Sequence, residues 1–132
     1  MTKHEKGVLG EIAVAYYLEA LGYEILCRNF RIRGGEIDII AIKGETLCFV
    51  EVKTRRLGTA VSGVEAVDRR KQFLIIRASY AYCEKYQIIE ENWYFRYDIA
   101  EVTTWNDRII DIDYLENAFD ESGFHDDSQK FF

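Results

Sequence analysis

Gly34-Gly35-Glu36-Ile37-Asp38-Ile39-Ile40-Ala41, followed by Phe49-Val50-Glu51-Val52-Lys53-Thr54, decides how the chain is read. Both stretches are apolar, yet both carry charges at alternate positions. They read as two β-strands joined by a short turn at Lys43-Gly44-Glu45. Successive side chains of a strand point to opposite faces, so Glu36 and Asp38 share one face, as do Glu51 and Lys53. If the hairpin pairs in register, Asp38, Glu51 and Lys53 converge at one edge of the sheet. Two carboxylates and an ammonium among Ile, Val and Phe are costly unless paired or bound to something. One reading is a buried salt bridge from Lys53 to either acid. The other is a hard-cation site. Carboxylates and backbone carbonyls suit Mg²⁺ or Mn²⁺, and a neighbouring lysine can orient water or meet charge growing on a phosphate.

The spacing separates these readings. Asp38, then twelve residues, then Glu51-Val52-Lys53 resembles the Asp…Glu-x-Lys signature of restriction-endonuclease-like nucleases, the PD-(D/E)xK superfamily. The words Gly-Glu-Ile-Asp-Ile-Ile-Ala and Phe-Val-Glu-Val-Lys-Thr-Arg are similar to archaeal Holliday-junction resolvases and, more closely, to the bacterial YraN-type family of predicted endonucleases. Ile37 stands where the superfamily often has a proline; that proline carries no catalytic group. In resolvase-like relatives a first-helix glutamate in a Gly-x-x-x-Glu context joins the metal site, and Gly7-Val8-Leu9-Gly10-Glu11 matches it. The resemblance implies a Mg²⁺- or Mn²⁺-dependent endonuclease acting on DNA phosphodiesters. Glu11, Asp38 and Glu51 would be the metal ligands, the Val52 carbonyl a further one, and Lys53 would complete the catalytic set. Branched or junction DNA, repair or recombination, and a homodimer are what resolvase-like relatives imply. The rival is a catalytically silent module on the same fold that binds nucleic acid or protein.

The chain of 132 residues, 48% hydrophobic and 14% aromatic, is long enough for one domain with a substantial core. There is no apolar run of membrane-spanning length and no signal-peptide pattern, so a cytoplasmic protein without membrane contact is expected. Cys27, Cys48 and Cys83 are an odd number at unrelated spacings and read as reduced thiols. His4 and His125 lie near the two ends, which leaves no His/Cys metal cluster.

A net charge of −6 argues at first against a nucleic-acid partner. Residues 111–132, however, hold seven of the 23 acids and one of the 17 bases, so the first 110 residues are neutral. Bases cluster at Arg28, Arg31 and Arg33, at Lys53, Arg55 and Arg56, and at Arg69, Arg70 and Lys71. Each cluster is either ordinary solvated charge or a phosphate contact.

Residues 4–21, rich in Ala, Leu and Glu, read as the first helix, with Gly22 as its stop. Glu11 lies beside Val14, Ala15 and Leu18, facing inward or towards a cleft rather than on the Glu5–Glu19 side. Residues 23–32 read as a strand with a basic end. Residues 55–64 read as a loop placed to touch a substrate backbone, expected to move when no DNA is bound. Residues 65–86 read as the second helix, with a core face from Val67, Leu74, Ile75, Ala78 and Tyr82. Relatives place a Lys or Gln on this helix near the site, which makes Lys71 and Gln72 the candidates. Residues 92–102 alternate as a half-buried strand in which Arg96 and Asp98 face the same way. Trp105-Asn106-Asp107 reads as a hairpin turn and 108–114 as the last strand. The order αβββαββ predicts an α/β fold: a restriction-endonuclease-like αβββαβ core, with a mixed central sheet flanked by helices. One domain is expected over 1–114. An acidic C-terminal tail over 115–132, with a short helical piece and then disorder, would end in Phe131-Phe132 as a frayed terminus or a protein-docking segment.

Overall fold

The computed structural model describes residues 1–59 and 67–124. The terminal docking segment therefore lies outside the described residues, as does the second half of the 55–64 loop. Helix α1 (Lys3–Ala20) starts where it does because Thr2 and Glu5 form a reciprocal cap. The Thr2 hydroxyl accepts from the Glu5 N–H, and the Glu5 carboxylate accepts from the Thr2 N–H, each at 3.1 Å. Its buried face is Gly10, Val14, Ala15 and Leu18. The helix ends as foreseen at Gly22, where φ of +95° lets the Tyr23 N–H turn back to the Leu18 carbonyl.

Strands β1 (Glu24–Ile32), β2 (Gly35–Lys43) and β3 (Thr46–Arg56) form an antiparallel meander. Helix α2 (Arg69–Lys85) then crosses over to β4 (Tyr94–Trp105), which runs parallel to β3, and β5 (Arg108–Phe119) closes the sheet antiparallel to β4. The five strands lie in chain order. One core packs under α2, with Ile37, Phe49, Phe73, Ile75, Tyr82, Tyr97 and Ile99. The other packs under α1, with Val14, Leu18, Ile39, Val50, Ala100 and Val102. This is the expected α/β architecture, a mixed central sheet with a helix on each side. Because helices cover both faces, the central strands read as unbroken apolar runs rather than alternations. Strand β4 accordingly departs from the half-buried expectation: Tyr97, Asp98, Ile99 and Ala100 are all buried.

Several boundaries differ from the sequence reading, β4 among them, which runs on through Trp105. Helix α2 begins at Arg69, not 65, because the Asp68 carboxylate caps the Lys71 N–H at 2.8 Å; residues 65 and 66 lie outside the described residues. Strand β3 continues through Arg55 and Arg56, which had been read as loop, held by pairing with Thr103 and Thr104. Strand β5 runs five residues past 114. It bulges at Asn117 (φ +51°) and delivers Phe119 to stack on Tyr97 at 5.4 Å between ring centres. A 3₁₀ turn over Glu121–Phe124 follows. Among the described residues no helix is long and apolar enough to cross a membrane.

Candidate active site

The β2–β3 ladder ends at the Ile39↔Val50 pair. Beyond it the strands part, and the next side chains in register on the α2 face, Asp38 and Glu51, come into the gap. The Asp38 carboxylate accepts from the Val52 N–H at 2.8 Å, a backbone donor freed by the parting. Two glycines let the helices close on this point. A Cβ on Gly10 would stand 2.0 Å from the Thr54 hydroxyl oxygen, so α1 reaches β3 only without one. A Cβ on Gly35 would stand 2.9 Å from the Leu74 carbonyl, where α2 crosses the start of β2. Glu11 and Glu36, the next residues in each case, are thereby brought to the same cleft.

That cleft, about 790 Å³, is lined by Glu11, Glu36, Asp38, Glu51, Val52 and Lys53, with Lys71 from α2. Asp38 and Glu51 are 8% and 4% exposed. Lys53 and Lys71 approach the same Glu51 oxygen, at 3.6 and 3.7 Å. The other Glu51 oxygen and one oxygen of Glu11 are buried with no hydrogen-bond partner among the described residues. Burial pushes the Glu51 carboxyl up to about 8; the Asp38 charge adds to this, and Lys71 and Lys53 oppose it. Asp38 is also raised, first by burial, against the pull of the Val52 N–H. Glu11 is raised by burial and then by the Asp38 charge. The charge on Asp38 raises Glu51, so the two strand acids titrate as one unit.

Acceptors that are buried, mutually repelling and short of donors suit a hard divalent cation, and Mg²⁺ commonly takes only one or two carboxylates. Asp38 and Glu51 fit that role. Glu11 shares the cleft, but among the described residues no three His, Cys, Asp or Glu side chains close on a common point. Glu11, the third ligand implied by the resemblance, lines the same cleft as the other two.

The basic residues divide. Arg55, Arg56 and Lys71 line the cleft; Arg31 lines an adjoining hollow with Lys71 and pairs with Glu36 at 3.2 Å. Arg55 is committed to an ion pair with Glu101. Arg33, Arg69 and Arg70 are exposed and line neither space. Gln72 donates its side-chain amide to the Val67 carbonyl at 2.9 Å and so fastens the start of α2. Sequence reading missed Lys3 and Lys6, which the first turn of α1 sets on the cleft rim. Their position as the first and fourth residues of a capped helix that bears Glu11 was the available signal.

On the α1 face lies a second charge cluster of opposite character. Asp98 is fully buried and accepts from the Arg96 guanidinium at 3.0 Å, the Tyr114 hydroxyl at 2.6 Å and the Asn117 N–H at 2.8 Å. Arg96 also donates to the Tyr23 hydroxyl at 2.6 Å. Burial and the Asp98 charge raise Tyr114, while nearby Cys48 is pushed up to about 12, chiefly by burial. Every strong acceptor here has its donor, so this cluster is structural.

A family profile described as "Uncharacterised protein family UPF0102" matches residues 10–102, from Gly10 beside the first-helix glutamate to Val102 within β4. A UPF0102 protein of Alkaliphilus oremlandii is 44% identical over 113 residues, covering 86% of this chain and 96% of the relative. One from Geobacter sulfurreducens is 45% identical over 116 residues, 86% of this chain and 88% of the relative. One from Caldicellulosiruptor saccharolyticus is 39% identical over 120 residues and is covered in full.

Proposed function

Since the chain belongs to the UPF0102 family and its two motif acids meet in one cationic cleft, we propose that it is a divalent-cation-dependent nuclease hydrolysing DNA phosphodiester bonds. The observation that carries this is the buried Asp38–Glu51 pair at the parted end of a ladder, with one Glu51 oxygen lacking a partner among the described residues and two lysines beside the other. Asp38 and Glu51 would hold Mg²⁺ or Mn²⁺, with Glu11 behind them and the Val52 carbonyl as a further candidate. When bound, the cation supplies Lewis-acid polarisation of the phosphate and a water of lowered pKa. The remaining work falls to the chain. Lys53 meets the negative charge that grows on the phosphate as the P–O bond to water forms and the bond to the sugar oxygen breaks. Lys71, on the other side of Glu51, shares that load. Lys3, Lys6 and Arg56 hold the flanking phosphates. Branched DNA, a place in repair or recombination, a homodimer and a cytoplasmic setting extend the same proposal from its resolvase-like resemblance.

The absence of a three-ligand group among the described residues favours a second reading, a nucleic-acid-binding module whose catalysis is silent. Cleavage of labelled single-stranded, duplex, flap and four-way-junction DNA decides between them. Reactions contain Mg²⁺, Mn²⁺ or EDTA, with wild type and Lys53→Ala. Cutting that needs the metal and disappears in the variant is the expected outcome. Binding without cutting on every substrate and with either metal establishes the silent module.

A further inference from the structure

The tip of the β4–β5 hairpin stands beside the cleft and takes no part in the chemistry proposed above. Asn106 and Asp107, at φ of +51° and +61°, make its two-residue turn and leave Trp105 at the end of β4 with 49% of its surface exposed. Among the described residues its ring meets no other aromatic ring and no cation. It lines a hollow of about 300 Å³ together with Lys6, Arg56, Thr104, Asn106 and Asp107. Lys6, Arg56 and Thr104 line the larger cleft as well, so the two spaces adjoin.

The tip is held in place. Arg56 and Thr104 are partners in the parallel ladder, and the Leu57 N–H donates to the Thr104 carbonyl at 2.8 Å. Asp107 is occupied by the Met1 ammonium at 3.4 Å and by Lys6 at 3.5 Å, so the acid on this lip is neutralised locally. Arg56 has no ion-pair partner among the described residues. Tyr16 and Tyr94 are more exposed than Trp105, but neither borders the cleft.

An exposed indole that shares a hollow with a guanidinium lacking an ion-pair partner among the described residues, and with an ammonium, is the kind of arrangement that holds a nucleobase by stacking and its phosphate by charge. We propose that Trp105, Arg56 and Lys6 form a subsite for an unpaired nucleotide next to the Asp38–Glu51 cleft. The preferred substrate then carries single-stranded nucleotides beside the bond to be cut. Duplex DNA buries the faces of its bases and offers the ring nothing to stack on. This deepens the nuclease reading by naming its substrate class; the subsite itself needs only binding.

The test is done in EDTA, where no cutting is required. Trp93→Phe leaves Trp105 as the one tryptophan reporter. A short oligothymidylate and a blunt duplex of matched phosphate number are titrated at low salt. The expected results are quenching of Trp105 by the single strand but not by the duplex, and single-strand affinity roughly five- to hundredfold lower in Trp105→Ala. Duplex affinity in that variant is unchanged, and Trp105→Phe recovers most of the loss. Single-strand affinity unaltered in Trp105→Ala, or equal quenching by both DNAs, overturns the subsite while leaving the nuclease reading intact. Binding of neither DNA overturns the subsite and the nucleic-acid reading together. Cleavage without any single-strand preference in the same variant set would count against the subsite alone.

Discussion

Replacing Glu51 by Gln should make the metal-free protein more stable in alkaline solution, the reverse of what losing half of a salt bridge does. The carboxyl has its pKa near 8 in the folded state, against 4.5 for the ordinary group. The folded protein therefore keeps a proton that the unfolded chain gives up, and its stability falls as pH rises from the lower value to the higher. Fully expressed, that shift amounts to about 5 kcal/mol. Asp38 shares the titration, so about 2–3 kcal/mol is the working expectation, equivalent to roughly 7–12 °C in Tm for a chain of this size. Thermal unfolding from pH 5 to pH 9 in EDTA should show wild type losing that much and Glu51→Gln staying level, with the curves meeting near the acid end. Adding Mn²⁺ at pH 9 should raise the Tm of wild type and leave the variant where it is. A variant less stable than wild type at pH 9 by about 3–5 kcal/mol would refute the reasoning. It would mean that Lys53 and Lys71 already neutralise Glu51 and that the cleft acids are a structural ion cluster.

Asp98→Asn on the opposite face should behave in the other sense. It should cost about 3–5 kcal/mol by urea denaturation, because Arg96 loses its buried counter-charge, while DNA affinity of the folded fraction is unchanged. Gly10→Ala should lose about 1–3 kcal/mol from overpacking against Thr54, and the Gly10→Ala/Thr54→Ala double variant should regain most of it in a mutant cycle. Lys6→Ala together with Arg56→Ala should weaken duplex binding and flatten its dependence on log salt by about two phosphate contacts, whereas Arg69→Ala with Arg70→Ala should leave that slope alone.

Asp38, Glu51 and Lys53 were legible because period-two alternation and a two-residue turn leave the hairpin one register that buries its apolar faces. Glu11 was legible as a polar residue on an otherwise apolar helix face. Lys3, Lys6 and Trp105 were not. They reach the cleft through α1 docking and the β3–β4 ladder, and no local pattern encodes a pairing between residues 48 apart. Arg96 and Asp98 were read correctly as facing the same way, but the closure of Tyr23, Tyr114 and Asn117 over them depends on a bulge near the end of β5. That bulge also explains the misplaced end of the last strand. Polar residues such as Glu116 and Asn117 look like tail until Asp98 gives the Asn117 backbone a buried acceptor. The start of α2 was misjudged because helix propensity before residue 69 outweighed Asp68, the better cap.

The long parallel ladder between β3 and β4 has a consequence for how the protein is made. The β1–β2–β3 meander is local and can pair as soon as it leaves the ribosome, with Asp38 and Glu51 already opposite each other. Strand β3 cannot find its other neighbour until the whole α2 crossover and β4 have emerged. Until then Lys71, Thr104 and the partner of Arg55 are missing, and β3 offers an open, apolar edge from Leu47 to Val50. Newly made chains thus pass through an interval in which the acids are opposite each other but Lys71, one of the two lysines beside Glu51, is absent. During that interval the exposed strand, rather than the finished sheet, sets the risk of misassembly.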